Sequence, residues 1–72
     1  MSARWTYSVT GMTCAHCIRS VTAEVGRIPG VGGVVVHLKR GEVDVIAEQQ
    51  PSLESVRAAV DEAGYELVGV AR

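Results

Sequence analysis

The sequence predicts an α+β fold in which two helices cover one face of a four-stranded antiparallel sheet. Apolar residues alternate in four short segments, as in half-buried strands, and recur at three- and four-residue spacings in two others, as in amphipathic helices. The segments follow the order strand, helix, strand, strand, helix, strand. Each half is therefore a split βαβ unit with a right-handed crossover, which places both helices on the same side of the sheet.

The first half of the chain carries a strand and a helix on either side of a short loop. Residues 4–10 alternate between large and hydroxyl side chains, which is typical of a half-buried strand. Residues 15–28 carry one apolar stripe, and Pro29-Gly30 ends this helix. The strand alternates Trp5, Tyr7 and Val9 with Thr6, Ser8 and Thr10, and the helix stripe is Ile18, Val21, Val25 and Ile28.

The second half repeats the plan after two consecutive strands. Alternation over residues 34–39 and again over 43–47 predicts strands, and Arg40-Gly41 between them is a hairpin turn signal. Ser52 can cap a second helix, Gly64 can end it, and residues 65–71 form the last strand. This order is that of the ferredoxin-like βαββαβ fold. The apolar positions are Val34, Val36 and Leu38, then Val43, Val45 and Ala47, then Leu53, Val56 and Val60, and finally Tyr65, Leu67, Val68 and Val70.

Length and composition predict a single small domain over residues 1–72 with an aliphatic core. The chain is 47% hydrophobic and 21% charged, which is ordinary for a packed domain and excludes disorder. With one Trp, two Tyr and no Phe, the core must consist of Val, Ile, Leu and Ala. Burial in a chain this short supplies only about 3–5 kcal/mol of stability.

Charge and hydropathy exclude several classes of function. The net charge is −1, with 7 basic and 8 acidic residues well mixed, so no basic stripe is available for phosphates. No apolar run approaches the roughly 20 residues of a membrane helix, and residues 1–10 do not resemble a signal peptide. We therefore expect a cytoplasmic location, where a permanent disulfide is disfavoured.

The chemistry of the chain is concentrated in "TGMTCAHCIRSV", residues 10–21, which holds both of its cysteines. The predicted elements put Cys14 just before the first helix and Cys17 in its first turn, where the helix dipole stabilises thiolates. Such a pair is a disulfide, a redox couple or a metal clamp. Two soft thiolates suit Cu(I), whereas Zn(II) usually takes four ligands and the chain offers only two Cys and two His.

Two other classes of site compete with a copper clamp, since C-x-x-C alone is a weak signal. A thiol–disulfide oxidoreductase of the thioredoxin type needs a proline opposite the cysteines, but Pro29 and Pro51 fall in helix-flanking turns. A structural zinc site would need His16 and His37 besides the cysteines, and His37 is expected at the middle or far end of another strand, as a bystander. Because the proline that a thioredoxin-type oxidoreductase needs has no counterpart here, we do not expect an enzyme.

The sequence resembles the heavy-metal-associated domain family along nearly its whole length. The similar segments are "GMTCAHC", "PGVGGVVVHL", "RGEVDV" and "AVDEAGYEL". The resemblance implies the ferredoxin-like fold and Cu(I) bound by Cys14 and Cys17. It also implies that the chain is either a free-standing copper chaperone or an N-terminal domain of a copper-transporting P-type ATPase.

The resemblance also gives expectations for four neighbours of the cysteines. Met12 matches a methionine that packs under the loop, and Thr13 replaces an acidic residue of zinc-transporting relatives, which favours copper. His16 is either a solvent-exposed residue or one that tunes the thiolates. Tyr65 matches a tyrosine beside the metal in bacterial chaperones, although a purely structural role is an alternative.

The implied partner is a copper-transporting ATPase or another CxxC domain. The expected state is a monomer that copper can bridge into a dimer. His16, Tyr65, a Met-Ser start and an end close to the last strand favour the chaperone over the ATPase domain. The docking face is expected around the loop, with charges from Arg19, Arg27, Glu54, Asp61 and Glu62.

Overall fold

The fold consists of four strands and two helices in the predicted order. The computed structural model describes residues 2–11 and 15–71, without the side chains of residues 15–17. The strands form one antiparallel sheet in the order β2-β3-β1-β4. The elements are β1 (Ala3–Thr10), α1 (Ala15–Gly26), β2 (Val31–His37), a 3-10 turn (Leu38–Arg40), β3 (Glu42–Ala47), α2 (Leu53–Glu62) and β4 (Glu66–Val70).

The core lies between the two helices and one face of the sheet. Apart from Tyr7 it is built from small aliphatic side chains, as the composition predicted. The helix stripes and the inward residues of the two central strands supply most of it, so the other face of the sheet is left without a helix. The fully buried side chains are Tyr7, Val21, Val25, Val43, Val45, Val56 and Val60.

Several predicted boundaries were wrong by one to three residues. Helix α1 stops at Gly26, because the amides of Arg27 and Ile28 bond to carbonyls three residues back, those of Glu24 and Val25. Ser52 does cap α2, accepting a hydrogen bond from the amide of Ser55 at 3.1 Å.

The prediction for the β2–β3 connection was also wrong. Strand β2 ends at His37, and Leu38–Arg40 form a 3-10 turn rather than more strand. Gly41 follows in the left-handed conformation with φ 64°, and its amide closes the turn on the carbonyl of Leu38. Leu38 still packs against the core, so the inward direction of its side chain was predicted correctly.

Gly41→Ala should destabilise the domain by about 1–2 kcal/mol, because a Cβ makes the left-handed conformation unfavourable. The added carbon would also lie 3.1 Å from the carbonyl oxygen of Val9. Gly26→Ala is the matched control, since nothing lies within 4 Å of its added carbon and it ends a helix. Urea unfolding of both variants tests this. Equal unfolding midpoints for Gly41→Ala and Gly26→Ala would contradict the predicted backbone strain at residue 41.

Candidate metal-binding site

The last residues of β1 are held on both sides where the chain leaves the sheet for the cysteine loop. The amide of Val9 donates to the carbonyl of Gly41 at 2.8 Å, across to the β2–β3 turn. The hydroxyl of Thr10 donates to the carbonyl of Glu66 at 3.5 Å, across to β4. The start of the loop is thus fixed by the two elements that flank β1 at this end.

Gly11 and Tyr65 meet at the first residue of the loop. Gly11 has φ 90°, and a Cβ added there would lie 3.2 Å from Cδ1 of Tyr65, so the ring lies against the Gly11 backbone. Tyr65 is half-buried, packs against the core, and donates its amide to the carbonyl of Val60 at 3.1 Å. The ring therefore lies beside the loop, and its role towards a metal stays a prediction.

In the sequence, the two cysteines span the junction between β1 and α1. Helix α1 begins at Ala15, so the backbone of His16 and Cys17 belongs to its first turn, which holds no acidic residue that would oppose an anion there. Met12, Thr13 and Cys14 lie outside the described residues, as do the side chains of His16 and Cys17.

His37 does not lie where the sequence suggested. It pairs with Glu42 at the loop end of the sheet, not at the middle or far end. Its ring is on the helix-free face, however, with Nε2 at 2.8 Å from Oδ2 of Asp44. Within residues 2–11 and 18–71, no group of three or more His, Cys, Asp or Glu side chains could hold a metal ion.

The sequence matches a known family over most of its length. The model of the heavy-metal-associated domain matches residues 6–66. The chain belongs to the heavy-metal-associated domain family. This is a family of metal-binding domains without enzymatic activity, which confirms the expectation that the chain is not an enzyme.

Relatives of this heavy-metal-associated domain include both free-standing proteins and parts of transporters. The copper chaperone CopZ of Bacillus subtilis is 36% identical over 63 residues, 86% of this chain and 91% of the relative. Copper-transporting ATPase 1 of Rhizobium meliloti is 35% identical over 60 residues, 83% of this chain but 7% of the ATPase. A solved structure of the CopZ metallochaperone superposes with a TM-score of 0.82 at 28% identity, covering 92% of this chain and all of that one, which confirms the predicted fold.

The charged residues expected around the loop fall into two groups. Arg19 lies in the second turn of α1, and Asp61 and Glu62 lie at the end of α2 that leads into Tyr65. Arg27 follows the last residue of α1 and Glu54 lies in the first turn of α2, so both are at the helix ends away from the loop. Each is ion-paired nearby, Arg27 with Glu24 at 3.6 Å and Glu54 with Arg57 at 3.9 Å.

In the described part of the heavy-metal-associated domain, no helix is long and apolar enough to cross a membrane.

Two glycines that support the site were not recognised as such from the sequence. Gly11 admits the ring of Tyr65, and Gly41 presents its carbonyl to Val9. Gly11 directly follows a predicted strand and Gly41 lies in a predicted hairpin turn, and a glycine at either place signals a backbone that needs positive φ or close approach. What each glycine contacts depends on residues far away in the chain, which a local pattern does not give.

Proposed function

We propose that the chain is a cytoplasmic copper chaperone, a single heavy-metal-associated domain over residues 1–72 that binds Cu(I) through Cys14 and Cys17. The observation that carries this is the position of the C-x-x-C motif at the β1–α1 junction of a domain that is 36% identical to a copper chaperone along 91% of the relative. The N-terminus of a helix favours the thiolate form of a cysteine in its first turn, and the thiolate is the form that binds a soft metal.

The donor set supports Cu(I) over Zn(II). Two thiolates satisfy Cu(I) at low coordination number, whereas Zn(II) needs further ligands. Thr13 has no carboxylate, and the described residues offer no cluster of three ligands. Met12 then supports the loop from below, while His16 and Tyr65 adjust the surroundings of the sulfurs without being required ligands.

Low coordination also supports transfer to a partner. A two-coordinate ion has room for a third thiolate, so a partner's cysteine can bond before either original bond breaks. Cys17 belongs to a helix that Val21 and Val25 anchor in the core, while Cys14 precedes the helix. Cys14 is therefore exchanged first and Cys17 last.

The partner we propose is another CxxC domain, such as that of a copper-transporting ATPase. Arg19, Asp61 and Glu62 surround the loop end and set the rate of encounter more than the affinity. Two copies can also share copper through their loops, because each carries the same pair of proposed ligands. Size-exclusion chromatography with and without Cu(I) tests this, and an unchanged elution volume at high concentration would count against the bridged dimer.

The second candidate is an N-terminal metal-binding domain of a copper ATPase. The observation that favours it is the 35% identity to the Rhizobium meliloti ATPase over 83% of this chain. The native transcript separates the two: a reading frame that continues into a transporter would establish the ATPase domain, and one that stops after the last strand would establish the chaperone.

The function is tested by titrating the reduced protein with Cu(I) without oxygen, against a chromophoric chelator of known affinity. We expect a single equivalent of Cu(I) to be held and an excess of Zn(II) to leave it in place, because two thiolates complete the shell of Cu(I) alone. Release of Cu(I) to Zn(II), or no retention against the chelator, would overturn the proposal.

A further inference from the structure

A buried carboxylate lies on the helix-free face of the sheet. Asp44 of β3 is directly opposite Thr6 of β1, and each is only 4% exposed. The hydroxyl of Thr6 donates to Oδ1 of Asp44 at 2.7 Å, and Nε2 of His37 lies 2.8 Å from Oδ2. Because an ionised carboxylate only accepts, Nε2 carries the hydrogen of that bond. The three side chains thus connect β2, β3 and β1.

These bonds offset the cost of burying a charge. Burial raises the pKa of the Asp44 carboxyl, but the hydrogen bonds from His37 and Thr6 and the charges of His37 and Arg4 outweigh it, so the pKa is lowered overall. Arg4 contributes little, since its guanidinium is 3.6 Å away and 61% exposed. The other charged neighbour on this face, Glu42, pairs with Arg40 at 3.4 Å.

Strand β2 has several features that leave its register weakly specified. It is an edge strand, it contains Gly32 and Gly33, and its register against β3 shifts between Val31 and Gly33. Glycine-rich edge strands specify their register weakly. A slip of one residue would move the ring of His37 to the other face of the sheet and break its bond to Asp44.

The end of β2 is also connected to the cysteine loop. His37 is followed by the 3-10 turn and then by Gly41. The carbonyl of Gly41 accepts a hydrogen bond from the amide of Val9. Val9 is the second residue before Gly11, where the chain enters the loop. A change in the register of β2 would therefore displace the turn that holds the end of β1.

We propose that Thr6, Asp44 and His37 are positioning residues that form a clasp, which fixes the register of β2 and, through the β2–β3 turn, holds the end of β1 where the cysteine loop begins. The inference concerns the scaffold and does not depend on copper. It is tested on the reduced, metal-free chain by amide hydrogen exchange, read residue by residue with NMR.

The decisive variants are His37→Leu and Thr6→Val, each of which removes one donor to Asp44. We expect the amides of β2 and of Val9 to exchange about tenfold faster or more, the size of one hydrogen bond to a charged group. The core amides of Val25 and Val60 should keep their protection. His37→Gln keeps a donor and should restore the protection of β2, and Glu48→Gln, at an exposed carboxylate just after β3, should behave as the unaltered chain.

Other outcomes would overturn the clasp. Unchanged exchange in both donor variants would show that β2 needs no such contact. Acceleration by the same factor at every amide would show only a loss of global stability. Failure of His37→Gln to restore β2 would show that packing of the ring, and not its hydrogen bond, is what matters.

A pH series gives a second test. The folded pKa of Asp44 is below its ordinary value of 3.8, so the contribution of the clasp is complete above that value and is lost as the pH falls through the folded pKa. After correction for intrinsic exchange, β2 and Val9 should lose protection in acid before the helices do. In Asp44→Asn this selective loss should be absent, and an identical pH profile in that variant would contradict the proposal.

Discussion

Replacing Cys17 with serine is expected to lower the affinity for Cu(I) by far more than the about 10–100-fold typical of outer-shell changes, because a ligand itself is lost. A serine hydroxyl is a hard, neutral donor, and a soft ion such as Cu(I) gains little from it. Cys14→Ser should be equally damaging to affinity, since two thiolates are the whole proposed shell.

Competition with the chromophoric chelator measures this effect directly. Thr22→Ser, an exposed position on α1, is the matched control and should bind as the unaltered chain. His16→Gln and Tyr65→Phe should remain within the outer-shell range, because neither is a proposed ligand. Retention of Cu(I) by the Cys17→Ser variant would contradict the ligand set.

The two cysteine variants should differ in transfer even where they agree in affinity. If Cys14 is exchanged first, a mixed complex of the Cys14→Ser variant with a partner CxxC domain should still assemble around Cys17. Equal rates of complex formation for both variants would contradict the proposed order of exchange.

Tyr7→Ala should leave most of the chain unfolded at room temperature. Tyr7 is the only aromatic side chain among the fully buried residues that the structure describes. Truncating a buried aromatic costs about 3–5 kcal/mol, which equals the whole stability expected of a core this small. Circular dichroism and the dispersion of amide NMR signals measure the folded fraction.

Tyr7→Phe is the matched variant, and it should retain or slightly gain stability. The hydroxyl of Tyr7 is buried without a hydrogen-bond partner among the described residues. Burial raises the pKa of that hydroxyl, and the nearby side chain of Gln50 offsets part of the rise, although its contact with the hydroxyl does not have the geometry of a hydrogen bond. Removing the unpaired group should raise the free energy of unfolding by up to about 1 kcal/mol. A loss as large as that of Tyr7→Ala would show that the hydroxyl itself holds the core together.

The order of elements was predictable because periodicity reports which face of each segment is buried. Trp5, Tyr7 and Val9 indicated β1, and Ser52 marked the start of α2 correctly. The boundaries that failed depend on hydrogen bonds that apolar spacing does not encode. At Leu38 the alternation continues for one more inward residue, while the backbone has already turned into a 3-10 helix closed by Gly41.

Of the proposed site, only the motif can be predicted from the sequence. Residues 14 and 17 were recognisable because their chemistry is carried by residue type and spacing within one segment. The support of that segment comes from residues 41, 65 and 66, which reach it through the sheet. The pairing of His37 with Asp44 was missed for the same reason, since it depends on register between neighbouring strands.

The position of β1 in the sheet has a consequence for folding during synthesis. Both of its pairing partners, β3 and β4, come later in the chain, while the strand that follows α1 is placed beyond β3 at the edge. On the ribosome, the cysteine pair is therefore synthesised before β3 and β4, the two strands that flank β1 in the sheet. Until residues 66–70 emerge the central strand lacks one neighbour, so the cysteines are synthesised early and the sheet next to their loop is completed last.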